Sequence, residues 1–147
     1  MYLKLLCSFM LSCMLLTATA QFRNIPAEVT DNFKAKYPNA SHVSWKDKIT
    51  SFQAEFVQNK DKIKATYSSK GEWQKTEKKY DFGKLPSNVK DGFSKSKYAS
   101  YDVKEVLEID DSEKGLMYRV VVKKDDFTRR ALYFTAAGQL VKDEVNF

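Results

Sequence analysis

A nine-residue segment near the start of the chain, Ile25-Pro26-Ala27-Glu28-Val29-Thr30-Asp31-Asn32-Phe33, returns sixty residues later as Leu85-Pro86-Ser87-Asn88-Val89-Lys90-Asp91-Gly92-Phe93. Ile/Leu, Pro, Val, Asp and Phe are kept. Self-similarity at a fixed offset constrains the fold more than any single residue does, because it implies one supersecondary unit written twice. The apolar residues within each copy stand four apart, at Ile25, Val29, Phe33 and Tyr37, then at Leu85, Val89 and Phe93. That spacing lays them along one stripe of an α-helix. Pro26 and Pro86 suit a first helical turn, where the missing N–H has no partner to lose. Pro38 stops the first helix by pushing the residue before it out of helical geometry. A helix of about three turns is predicted to open each copy.

After each helix the period changes to two. Val43 and Trp45 alternate with polar residues, as do Phe52, Ala54 and Phe56, then Ile63, Ala65 and Tyr67; the second copy repeats this with Val106, with Tyr118, Val120 and Val122, with Leu132 and Phe134, and with Leu140. Such alternation marks antiparallel strands with one buried face. Turn-forming residues fall between the runs, and Gly71 and Gly138 occupy matching places, two positions before Trp73 and Leu140, where a tight hairpin needs positive φ. The predicted fold is α+β: two tandem repeats, residues 21–80 and 85–147, each a helix packed on a four-stranded antiparallel meander, joined by a linker at 81–84. Each helix must cover one face of its sheet. The opposite face is left open.

Residues 1–20 carry the grammar of a cleaved export signal: Lys4 in a short basic start, an apolar run from Leu5 to Leu16, and Ala18-Thr19-Ala20 before Gln21. The run is shorter than the roughly 20 apolar residues a membrane-crossing helix needs. A retained N-terminal anchor is the alternative. Leu11-Ser12-Cys13 makes a poor lipoprotein site, since Met10 is ill suited three places before the cysteine and the apolar run continues past it. Cys7 and Cys13 are the only cysteines, and both lie in this segment, so the expected mature chain has no disulfide or thiol chemistry.

The remaining 127 of 147 residues suffice for one core without disulfides. Lys and Arg number 25 against 19 Asp and Glu, a mild excess that favours acidic partners without an arginine-rich run or nucleic-acid motif to make it specific.

Ile25-Pro26, Val43-Ser44-Trp45, Phe52 to Val57, Ser69-Lys70-Gly71-Glu72-Trp73, Leu85-Pro86 and Ala136-Ala137-Gly138-Gln139-Leu140 together resemble the PepSY-like family of exported bacterial proteins, whose units are similar to the beta-lactamase inhibitor protein fold. The resemblance covers nearly the whole mature chain. It implies a periplasmic or extracellular location, a non-enzymatic role, and binding or inhibition of another protein. It does not imply inhibition of a beta-lactamase, because a shared fold does not transfer function when the contacting loops differ.

Catalytic groups are sparse. His42 is the only histidine, so a nucleophile–base pair or a zinc site has to be built around it alone. It is placed in the loop before the Val43 strand. No phosphate-binding glycine loop, nucleophile elbow or EF-hand spacing occurs. Asp110-Asp111-Ser112-Glu113 offers oxygens to calcium, yet Asp and Ser are ordinary turn formers and the run reads as a hairpin cap; Asp125-Asp126 reads the same way. Trp45 and Trp73 lie on the apolar register of their strands and are expected against the helix rather than on a ligand. Asn39-Ala40-Ser41 matches a glycosylation sequon that matters only in a eukaryotic source. No catalytic residue, metal ligand or cofactor is assigned.

The cations are uneven. Lys60, Lys62 and Lys64 alternate with Ile63, Ala65 and Tyr67, which sends Lys62 and Lys64 to the open face. The same parity in the second copy sends Arg119, Arg129 and Tyr133 there. Lys62, Lys64, Arg119, Arg129 and Tyr133 are the candidate binding face for another envelope or secreted protein, with a solvated face that prevents edge pairing as the alternative. A rival function is a small-ligand sensor or carrier, for a metal ion or an envelope glycan, which requires a polar cleft between the repeats. Nucleic acid is excluded by the expected export.

Overall fold

The computed structural model describes residues 24–146; the predicted export signal, with Cys7 and Cys13, lies outside the described residues. Helix α1 (Ala27–Lys36) leads into strands β1 (Ser41–Asp47), β2 (Ser51–Gln58), β3 (Asp61–Ser68) and β4 (Trp73–Tyr80). A 3-10 turn (Phe82–Lys84) and helix α2 (Ser87–Ser94) follow, then β5 (Asp102–Asp111), β6 (Gly115–Lys123), β7 (Arg129–Thr135) and β8 (Leu140–Val145). The protein is an α+β fold with an eight-stranded antiparallel sheet and, among the described residues, two α-helices.

Each helix starts one residue later than the sequence suggests. Pro26 and Pro86 stand at the caps with extended ψ of 147° and 145°. Their carbonyls accept from Val29 and Thr30 at 3.1 and 3.3 Å, and from Val89 and Lys90 at 3.0 and 3.1 Å. A proline cap loses nothing here, because only its carbonyl is used. Before Pro38, α1 stops at Tyr37, whose N–H still reaches the Phe33 carbonyl at 2.8 Å. The second helix has eight residues rather than three turns. Gly92 and Ser94 are weak helix formers, and Ser96 Oγ donates to the Phe93 carbonyl at 2.7 Å.

The apolar stripes do what their spacing requires. Val29 and Phe33 of α1 are buried with Phe52, Ala54, Phe56, Ala65 and Tyr67; Val89 and Phe93 of α2 join Leu85, Val106, Tyr118, Val120, Val122, Leu132 and Phe134. Phe33 is the hub of the first cluster, its ring centroid 5.1 Å from Phe56, 5.2 Å from Trp45 and 5.5 Å from Tyr37, mostly edge-on. Burying one such side chain contributes roughly 1.5–3 kcal/mol. The 0% exposure of Val29, Val89, Tyr67 and Phe134 shows that both helices sit tightly on the sheet.

The two hairpin glycines set how closely the helices dock. Gly71 and Gly138 have φ of +84° and +87°, a region that costs other residues steric strain. A Cβ on Gly71 would stand 2.9 Å from the Glu28 carbonyl oxygen, and one on Gly138 would overlap that of Asn88. Asn32 Nδ2 also donates to the Gly71 carbonyl at 2.9 Å. Thus the β3–β4 turn rests on α1, and the β7–β8 turn on α2.

The sheet is not two sheets side by side. β4 pairs with β5 from Lys75↔Asp111 to Tyr80↔Val106, which makes all eight strands one continuous ladder in sequence order. Both helices lie on one of its faces.

Candidate functional site

Strand parity assigns the opposite face. Tyr118, Val120 and Val122 belong to the α2 cluster, so Met117, Arg119, Val121 and Lys123 point the other way. Cross-strand register then carries that face outward. One row runs Lys79↔Leu107↔Arg119↔Tyr133↔Lys142, and on the other side Val57 pairs with Lys62. Carrying the Lys64↔Glu77 and Ile63↔Lys78 register one step further sets Lys62 across from Lys79, just past the end of the β3–β4 ladder. A second row runs Glu55↔Lys64↔Glu77↔Ile109↔Met117. All five residues singled out from the sequence therefore lie on the face away from the helices.

They do not form one free patch. Lys64 stands 3.6 Å from Glu55, which Lys46 also holds at 2.8 Å; that Lys46 hydrogen bond keeps the Glu55 carboxyl below its usual range. Arg119 stands 3.6 Å from Glu105 and donates to Asn146 Oδ1 at 2.6 Å. Its guanidinium also sits 5.9 Å from the Tyr133 ring centroid. Tyr133 donates to Glu144 at 2.8 Å, and burial raises its phenol above the ordinary value. Lys142 covers the same ring at 5.3 Å and pairs with Glu144. By contrast, exposed Lys62, Lys79 and Arg129 have no acidic partner among the described residues. Arg129 sits apart, opposite Lys123 at the far end of β6 and β7.

Lys79 is the residue that sequence parity misses. The β3–β4 register shifts between Thr66 and Tyr67, so that Tyr67 faces Trp73 while Thr66 faces Lys75. This bulge keeps Trp73 on the helix side yet turns Lys75, Glu77 and Lys79 to the open face, and an extra residue in a turn-proximal strand leaves no apolar signal. Between the strands lies a groove of about 700 Å³ bordered by Glu55, Lys62, Lys64, Glu77, Lys79 and Arg119.

Of the remaining candidates, His42 also lines this groove, and the others fall elsewhere. His42 belongs to β1 rather than to the preceding loop, at a bulge with φ of +53°. It is exposed, with Nδ1 3.3 Å from Ser41 Oγ. Asp111 Oδ1 accepts the N–H groups of Glu113 and Lys114, both at 3.0 Å. Burial pushes the Asp111 carboxyl up, but those two N–H groups outweigh it and hold the group below its ordinary value. Asp125 serves Phe127 and Thr128 in the same way. Both acidic runs are thus turn-forming, and no group of three or more His, Cys, Asp or Glu side chains converges among the described residues. Trp45 and Trp73 pack on the helix side; Trp73 Nε1 donates to Thr76 Oγ1 at 3.0 Å, and Lys36 Nζ lies 3.8 Å from its ring centroid.

The sequence model of the PepSY-like family, described as beta-lactamase-inhibitor-like, matches residues 50–142. The chain belongs to the PepSY-like family. Among solved structures it is similar to a DUF2874 family protein from Bacteroides ovatus, at 23% identity over 84% of this chain and 89% of that one, with a TM-score of 0.78. A BLIP-like protein from Bacteroides fragilis matches at 24% identity over 86% and 92%, TM-score 0.76. A protein from Bacteroides eggerthii, assigned to the periplasm, matches at 20% identity over 84% and 90%, TM-score 0.76. No curated protein sequence matches the chain. At these identities the solved neighbours show the fold alone. No helix among the described residues is long and apolar enough to cross a membrane.

Proposed function

We propose that this PepSY-like protein is an exported, non-catalytic binding module, built from a duplicated helix-plus-meander unit, that engages or inhibits another envelope or extracellular protein through the open face of its sheet. The observation that carries this reading is the pair Lys62 and Lys79. Like charges directly opposite each other across strands are unfavourable, and here neither has a carboxylate to offset it among the described residues. An acidic partner surface reverses the sign of that cost. The mature chain's basic excess and the periplasmic assignment of a structural neighbour support the same reading.

The test is retention. Immobilised residues 21–147 are exposed to an envelope and secreted-protein extract, beside the Lys62→Glu, Lys79→Glu, Arg129→Glu variant. One protein retained near equal stoichiometry by the parent and weakened in the variant, most at low salt, supports the reading. Equal retention by both removes this face from the account.

The groove favours one alternative, a carboxylated or sulfated envelope glycan held by Lys62, Lys79 and Arg119. A ligand that binds only the folded chain must raise its melting temperature. Unchanged melting with such glycans discards that alternative.

A further inference from the structure

The sheet has two edges, and they are protected differently. Edge strand β8 carries Lys142, Asp143 and Glu144 in succession, the usual defence of an edge against another chain. Edge strand β1 reads Val43-Ser44-Trp45 at its centre, without a charge. Its bulge falls at His42 and Val43, and from Ser44 to Asp47 the pairing with β2 is regular. Lys48 N–H donates to the Ser51 carbonyl at 2.9 Å, which fixes the alternation of the β1–β2 ladder: Lys46 and Ser44 face β2, and Trp45 turns its N–H and C=O outward, where no strand stands among the described residues.

Beside that edge, on the helix side, a groove of about 640 Å³ runs between α1 and β1. Phe33, Tyr37, Ala40, Val43 and Trp45 make its apolar walls, and Val43 is 40% exposed. The single charge on it is Lys34, which has no acidic partner among the described residues. An outward-facing backbone, an apolar trough and a lone cation form a complementary set.

We propose that β1 accepts an extended segment of a partner protein as a ninth strand, with alternate apolar side chains seated between α1 and β1 and a carboxylate on the same face meeting Lys34. Main-chain pairing supplies the affinity in such strand addition, and the pockets for alternate side chains supply the selectivity. The site lies across the sheet from the Lys62–Lys79 face and is independent of it.

The probe is a terminally blocked peptide, Thr-Val-Thr-Phe-Thr-Glu, titrated into isotopically labelled residues 21–147. Amide shifts are expected at Val43–Asp47 and along the Thr30–Tyr37 side of α1, with binding weakened by up to about fivefold in Lys34→Glu. Lys34 is exposed, so this variant keeps the fold. Methylating peptide nitrogens of one alternation must abolish binding and of the other must spare it, since only one edge of the added strand faces β1. The Lys62→Glu, Lys79→Glu, Arg129→Glu variant binds the peptide as the parent does. Equal loss from both methylation patterns, shifts confined to the open face, or no shift up to the peptide's solubility overturns the proposal. So does a β1 response to protein concentration alone, which assigns the edge to a second copy of this chain.

Discussion

Three glycines permit a test of how closely each hairpin is pressed to its helix. Gly115, Gly71 and Gly138 all have positive φ, at +70°, +84° and +87°, so alanine at any of them carries the same backbone strain of about 1–2 kcal/mol. Their surroundings differ in steps. A Cβ on Gly115 meets nothing within 4 Å; on Gly71 it stands 2.9 Å from the Glu28 carbonyl; on Gly138 it falls inside the Asn88 carbonyl, which belongs to the first turn of α2. Backbone cannot yield as a side-chain tip can, so α2 must shift from Leu132 and Phe134, at an overpacking cost of about 1–3 kcal/mol. Gly115→Ala is therefore expected to lose about 1 kcal/mol, Gly71→Ala about 2, and Gly138→Ala about 3–4. For a chain of this size each kcal/mol lowers the melting temperature by roughly 3–5 °C. Urea unfolding with matched slopes gives the differences directly. A Gly138→Ala loss no greater than that of Gly115→Ala refutes the docking argument.

Phe33→Ala should cost about 3–5 kcal/mol in urea unfolding, because it empties the centre of the first cluster; a loss under about 1 kcal/mol would show that cluster to be loosely packed. Tyr67 is fully buried and its hydroxyl has no partner among the described residues, with burial pushing the phenol well above its ordinary value, so Tyr67→Phe is expected to leave stability unchanged or raise it by about 1 kcal/mol; a clear loss would reveal a water bonded there. Asp143 accepts from Tyr98 and Arg130 and stands 3.6 Å from Lys97. The Tyr98 hydroxyl foremost, against burial, keeps its carboxyl below the usual value. Its contribution is full above the ordinary carboxylate pKa of about 4 and disappears as pH falls through the lowered one. Melting of Asp143→Asn should thus lie below the parent at pH 7 and converge with it in acid, and a gap independent of pH would contradict the assignment.

The helices and most strands were legible in the sequence because their signal is periodic. Val29 and Phe33, or Tyr118, Val120 and Val122, announce a face by recurrence, and all are buried as the spacing requires. Gly71 and Gly138 were legible as turns, but their tight approach to Glu28 and Asn88 was not, since nothing in a glycine names its neighbour. The β4–β5 pairing was illegible for a different reason. β4 reads Trp-Gln-Lys-Thr-Glu-Lys-Lys-Tyr, almost without apolar alternation, and its bond to β5 is made by backbone groups that every residue carries. The open-face candidates followed from parity wherever the register is regular, as at Lys62, Lys64, Arg119, Arg129 and Tyr133. Lys79 was missed where a bulge changes it.

Continuity of the sheet also divides the open face into two unlike halves. Beneath the second half lie Ile109, Met117, Val121 and Ala131, all at most 7% exposed although neither α1 nor α2 covers them. Arg119 and Tyr133, tied to Glu105, Asn146 and Glu144, lie across this floor and keep water from it. A partner reaching those apolar residues must first break that network, and each charge-assisted hydrogen bond lost costs about 1.5–3 kcal/mol. The first half has a polar floor, with Gln53 opposite Thr66 and Glu55 opposite Lys64, and its outer cations Lys62 and Lys79 carry no such bond. Association there breaks nothing internal. If the open face binds as proposed, first contact is expected at the β3–β4 seam, with Arg119 as a fixed rim, so reversing Lys62 and Lys79 should slow association while Arg119→Ala should act mainly on stability.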